Sequence, residues 1–313
     1  ILVNATDHVS LIGITGSNPL GEFNPSGLFS NAVFGGAAGN IVVTTPRLTM
    51  REGRINTSTS GSGPGGNVTI NASVIEMSGE FPNPDIGASF GFGNIHPSGI
   101  FTQAVGSEFC SGPCGNAGNI NITTGSLLMG DGSQINSGTT NNGRGGNITI
   151  QATNQIGLSG TLTDGTPVGI FSSTIGTDPG SGNGGNIVLN AGQSVTISNG
   201  AAISASSTGP GNTGNVQINA GNQFVMNNSA VTTEATQSGG GTIKITTNPN
   251  GTVQLTNSMI SASVLDGNGG GGSVKIDPQS VVLINSQILA NAVFGPGGNI
   301  FITTNLLLPD TAS

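Results

Sequence analysis

The 313-residue chain contains no Trp and no Tyr, only six Lys and Arg together, two His and two Cys, and charged residues make up 6% of it. An ordinary soluble domain carries about a quarter charged residues. The shortage removes the material of charged helix faces, coiled coils and charge-driven disorder. With a net charge of −8 and its few cations scattered, the chain has no basic stripe to neutralise phosphates, so nucleic-acid binding is excluded. No apolar run approaches the roughly 18 residues that a membrane-spanning helix needs. Residues 1–7 show no basic start or cleavage pattern, so a signal peptide is expected to be absent or already removed.

What the chain has instead is glycine, 55 residues of it, without the every-third-residue rule of collagen and interspersed with regularly placed Ile and Val. Such a chain can bury a core. Gly-Asn followed by Ile or Val recurs with its Asn at Asn40, Asn67, Asn119, Asn147, Asn186, Asn215 and Asn299, and degenerate copies begin at Gly241 and Gly272. Spacings between starts are 27, 52, 28, 39, 29, 27, 31 and 26 residues, so the unit is about 27 and the long intervals carry insertions.

Each unit holds three short apolar alternations. The first supplies pairs such as Ile41/Val43, Ile148/Ile150 and Ile187/Leu189; the second Leu48/Met50, Ile156/Leu158 and Val282/Ile284; the third single residues such as Ile55, Ile135 and Ile203. A period of two means strand. Strands this short, joined by Gly, Asn and Pro turns, cannot bury an apolar face alone, so the units must stack. The expected fold is all-β: one right-handed, three-sided parallel β-helix over residues 1–313, of about ten coils, roughly 45 to 50 Å long at the spacing of paired strands. The repeated Asn is expected to form a structural ladder of side-chain amides running from coil to coil. The pair Leu306/Leu308 closes the last coil, and with no polar capping repeat at either end the chain is expected to be a segment of something longer or to stack lengthwise.

Insertions fall between the second and third strands at 13–26, 79–98 and 160–167, closing on Gly27-Leu28-Phe29, Gly99-Ile100-Phe101 and Gly169-Ile170-Phe171. They are expected on one side of the rod, where per-repeat insertions mark a binding face. The middle one carries the candidate binding residues Phe81, Phe90, Phe92, Ile95 and His96. Exposed together they would form a patch of interaction size, although a small satellite core accounts for them more simply. The series Phe29, Phe101 and Phe171 reads as an interior aromatic stack. Cys110 and Cys114 share one Gly/Pro-rich loop, for which a local disulfide is favoured over free thiols.

Catalysis finds little support. The acids are mostly single turn residues rather than a supported carboxylate pair, and Arg47, Arg51 and Arg54 with Glu52 form the only dense charge group. His8 and His96 are too isolated to suggest a triad or a zinc site, and the repeat lacks the recurring Asp of calcium-binding β-rolls, so neither metal nor cofactor is expected.

The phrases Gly-Gly-Asn-Ile-Thr-Ile-Gln-Ala (145–152), Ala-Ile-Ser-Ala-Ser-Ser-Thr-Gly (202–209), Ser-Gly-Ile-Phe (98–101) and Ile-Leu-Ala-Asn-Ala-Val-Phe-Gly-Pro-Gly-Gly-Asn-Ile (288–300) resemble cyanobacterial filamentous-haemagglutinin-like exoproteins along essentially the whole chain. The resemblance implies a large secreted or cell-surface protein of the two-partner secretion kind, exported through an outer-membrane barrel and folding outside as a right-handed β-helix. The secretion domain of that family is not visible here. Structural, fibre-forming or adhesive work is therefore expected, with copies of itself, surface glycans or other cells as partners. A polysaccharide-binding or polysaccharide-degrading β-helix protein is the alternative.

Overall fold

The computed structural model describes residues 1–15, 24–82, 95–105, 114–176, 180–311 and 313. Among these the chain is all-β, in two long sheets, one of sixteen strands and one of eleven, whose strands run parallel except for the short Ile14–Thr15 and Glu80–Pro82 at the insertions. Strand pairing follows the sequence repeat. Ile120–Met129 pairs with Val68–Ser78 on one side and Ile148–Ser159 on the other, and Ile187–Ala191, Val216–Ala220 and Thr242–Thr247 continue the order. The Gly-Asn-led segments therefore lie over one another in register, in the manner of a parallel β-solenoid.

The inward column of the first strands, Ile41, Val68, Ile120, Ile148, Ile187, Val216, Ile243 and Val274, is at most 1% exposed. Each such side chain taken out of water contributes about 1.5–3 kcal/mol. The second strands add Leu48, Ile75, Leu127, Ile156, Val195, Phe224 and Val253, and the third add Ile55, Ile100, Ile135, Ile170, Ile203, Val231 and Ile260, all buried in one continuous cluster. In one coil the expected pair Val282/Ile284 is replaced by its neighbours. Val281 and Leu283 face inward, opposite Val253 and Leu255, and Ile284 is 41% exposed. Residues 281–284 are apolar in both phases, so the alternation cannot choose between them, and a slip of one residue turns every side chain over. The same slip affects the last segment, where Leu307 rather than Leu306 or Leu308 follows the inward row.

The turn from second to third strand needs a left-handed residue. Asn199, Asn228, Asn257 and Asn285 supply it with φ of 46–55° where the turn is short, and Gly13, Gly79 and Gly160 where an insertion departs. Asn and Gly tolerate this region best. Where described, the insertions start and close as antiparallel pairs: Ile14–Thr15 with Asn24 and Pro25, Glu80–Pro82 with residues 95–97, and Thr161 with Pro167. The middle and last insertions also touch, since the Thr163 N–H donates to Glu80 Oε2 at 2.9 Å.

The Asn ladder is real in a different form. Each side-chain oxygen accepts the main-chain N–H of the next coil's equivalent residue, from Asn40 through Asn67, Asn119, Asn147 and Asn186 to Asn215 at 2.8–2.9 Å, and Asn215 receives Thr242 N–H. Amide-to-amide bonding appears once within it, Asn215 Nδ2 to Asn186 Oδ1 at 3.0 Å. At Asn299 the main-chain N–H donates instead to Gly272 O, because Ser273 in the coil below offers no amide oxygen. Asn116 to Arg144 N–H and Asn183 to Asn212 N–H repeat the device elsewhere.

Candidate functional site

Chemical variety concentrates on the outer surface of the eleven-stranded sheet, beside the insertions. Two outward rows run along it. The first reads Gly27, Arg54, Gly99, Gln134, Gly169, Ala202; the second Phe29, Asn56, Phe101, Asn136, Phe171, Ser204. The expected interior aromatic stack is thus corrected. Leu28, Ile100 and Ile170 take the inward positions, and the three Phe stand outward on alternate coils with Asn56 and Asn136 between them. Two pitches of about 4.8 Å put successive rings beyond stacking range. The Gly-aliphatic-Phe triplet also gains a reason. A Cβ on Gly27 or Gly169 would meet the ring two residues later at 2.5–2.6 Å, because the Phe folds back over the glycine.

At the middle insertion, Phe81 and His96 are 3% and 4% exposed and stack with ring centroids 5.7 Å apart. The Arg54 guanidinium lies 5.0 Å from the Phe81 centroid and 4.5 Å from that of Phe101. Its Nε donates to Pro97 O at 3.0 Å, and Nη2 reaches His96 Nδ1 at 3.3 Å. This half-buried cation is satisfied by π faces, a carbonyl and a neutral imidazole. Burial draws the guanidinium down to about 9, still cationic at neutral pH. Burial first, and the Arg54 charge second, hold His96 near 4, so the imidazole is neutral. Phe81 and His96 therefore form a covered cluster rather than an open patch, Ile95 lies apart from it at a groove wall, and Phe90 and Phe92 fall outside the described residues.

That groove, about 260 Å³, lies between the two insertions. Ile95 bounds it from the middle insertion, and Leu162, Asp164 and Pro167 from the last; Gln134, Asn136 and Phe171 are among its floor residues. Gln134 is 2% exposed. Its Nε2 donates to Pro167 O at 3.1 Å, while its Oε1, buried, has no hydrogen-bond donor. The Asn136 side-chain oxygen accepts Gly138 N–H at 2.8 Å, which fixes the amide in place.

No protein-family model, curated protein or solved structure matches the chain. Its functional reading therefore rests on its own residues. The repeated Asn positions from Asn40 to Asn215 are structural partners of main-chain N–H groups, whereas Asn299 is not shown to be one. Cys114 is disulfide-bonded, and the chain's other cysteine, Cys110, lies outside the described residues. Among the described residues no group of three or more His, Cys, Asp or Glu is placed to hold a metal ion, and no helix is long and apolar enough to cross a membrane. Of the dense charge group, Arg47 pairs with Glu76 at 2.6 Å on the opposite sheet, whereas Arg54 belongs to the covered cluster. Sequence reasoning missed Gln134. A partial signal was available: aligning the third strands puts Gln134 between Gly99 and Gly169 in its row, although Gln287 repeats the amide further along.

Proposed function

We propose that the chain is a non-enzymatic, extracellular or cell-surface rod with a structural and adhesive role, a right-handed three-sided β-helix of about ten coils with about 27 residues in each. The observation that carries this reading is the in-register stacking of the repeat, which holds the insertions beside one sheet at fixed spacing. A surface built this way can present loops to a partner without moving parts. The resemblance to filamentous-haemagglutinin-like exoproteins supports export, a place in a larger secreted protein and a two-partner secretion route.

The partners on this reading are surface glycans or other cells, with lengthwise self-association of copies as a further contact. Imaging the purified chain by electron microscopy and assaying its adhesion to cells tests the proposal. Rods about 45 to 50 Å long that adhere support it; compact particles, or release of reducing sugar from a polysaccharide panel, refute it. Polysaccharide binding is the second reading, favoured by the Gln134 groove.

A further inference from the structure

We infer that the groove between the middle and last insertions binds a short, uncharged saccharide segment, with the Gln134 amide as its polar anchor and the Phe171 ring as its apolar platform. This inference deepens the adhesive reading and rests on it. The first ground is Gln134 itself. An amide oxygen buried without a donor loses its hydration with nothing in return, and buried orphan acceptors are rare enough in native structures to call for an explanation. The other orphan among the described residues, Thr233 Oγ1, belongs to a fully buried residue outside the groove. Gln134 instead lines an open groove, so a shift of its side chain toward the groove would let a ligand hydroxyl supply the donor that the covered Oε1 lacks.

The second ground is the chemistry around it. The groove combines amides at Gln134 and Asn136 and hydroxyls at Thr166 and Ser173 with apolar surface from Phe171 and Leu162. A sugar has the matching halves: hydroxyls that donate and accept at its rim, and C–H faces that lie against a ring. The half-buried Phe171 is held over Gly169 and offers such a face at little cost in side-chain freedom. Among the described residues Asp164 is the only ionisable one lining the groove, and the chain carries −8 overall, so a uronate or sulfated glycan would be repelled.

A peptide fits less well. The floor strands Ser133–Asn136 and Gly169–Phe171 pair with each other, and each pairs with a further strand on its other side, so no free edge is available for strand addition. Recognition is left to side chains, and those present suit a polyol.

The test uses the full chain in titration calorimetry. Uncharged glucan, mannan and galactan oligosaccharides are compared with oligouronates and with a mixed tetrapeptide pool. Hydroxyl-radical footprinting reports on Phe171. At least one uncharged oligosaccharide should bind at or below about 10 mM, protect Phe171, and lose at least about tenfold in affinity in Gln134→Leu, the loss expected when a hydrogen-bonding anchor is removed. Because Gln134→Leu also loses the bond to Pro167, Phe171→Ala provides a second variant. Both are checked for an unchanged unfolding transition, and if Gln134→Leu fails that check, Phe171→Ala alone decides. Four results overturn the inference: no uncharged oligosaccharide binds, oligouronates bind as tightly, only the peptide pool binds, or the folded variants bind like the parent. None of them touches the rod, which the microscopy of the preceding section tests separately.

Discussion

Replacing Gly146 by Ala adds a single methyl group, and the structure leaves no room for it. An ideal Cβ at Gly146 would sit 1.9 Å from the carbonyl oxygen of Gly118 in the coil below and 2.3 Å from Ser137 Oγ. Ordinary contact begins near 3.4 Å, so about 1.5 Å must be found. The obstructing atom is backbone, fixed by the strand pairing that starts at Ile120 and Ile148. The coils must therefore separate locally and stretch ladder bonds. Overpacking usually costs about 1–3 kcal/mol and sometimes more; backbone against backbone belongs at the upper end, about 3 kcal/mol. At roughly 2 °C per kcal/mol for a chain of this length, the melting temperature should fall by about 6 °C or more. Gly36→Ala is the control, since a Cβ there meets nothing within 4 Å and its φ is not left-handed. It should be neutral or slightly stabilising, within about 1 kcal/mol. Thermal unfolding followed by far-ultraviolet circular dichroism compares the two. Equal shifts in both variants would refute the claim that coil contact at Gly146 limits the side chain.

Three further outcomes follow from named contacts. Asn147→Ala removes the acceptor for Asn186 N–H at an exposed site and should cost only about 1 kcal/mol by urea unfolding; complete loss of folding would mean the ladder holds the rod together. His96, neutral in the folded chain down to about 4 against an ordinary 6.5, takes up its proton in the open state first. Stability should therefore fall as pH drops from about 6.5 towards 4, by at most about 2 kcal/mol after solvent screening, and His96→Gln should remove that part of the pH dependence. Reducing the disulfide at Cys114 should lower stability by about 2 kcal/mol at most, the figure for a loop closed over so few residues, and leave the β signal in circular dichroism unchanged; a collapse of that signal would show the bridge to be essential.

The inward pairs were legible from sequence because a half-buried strand alternates strictly, and Ile148/Ile150 or Val216/Ile218 admit only one phase. Residues 281–284 were not, since four consecutive apolar side chains satisfy both. The Phe29, Phe101 and Phe171 series was misplaced for a related reason: bulk and apolarity suggest an interior, but strand phase had already assigned that interior to Leu28, Ile100 and Ile170. The Asn ladder was legible as a coil-to-coil device, although the main-chain N–H as its donor depends on backbone geometry that no spacing shows. The groove was illegible because Ile95, Gln134, Leu162 and Phe171 come from three coils and two insertions, and only stacking brings them together. The Arg54 cluster hid similarly, its cation lying on the strand Gly53–Asn56 and its π partners 27 and 47 residues further along.

The direct test of coil-on-coil stacking is a pair of engineered disulfides across the 39-residue interval. Thr149 and Val188 are register partners on the outward side of the Ile148 and Ile187 column, whereas Asn190 is partnered by Gln151. Paired parallel strands lie about 4.8 Å apart, within disulfide reach, and a two-residue offset exceeds it. Peptide mapping of the oxidised chain should find Thr149→Cys linked to Val188→Cys in high yield and not to Asn190→Cys. Equal yields, or a bond only to the offset position, would contradict the register on which the whole account depends.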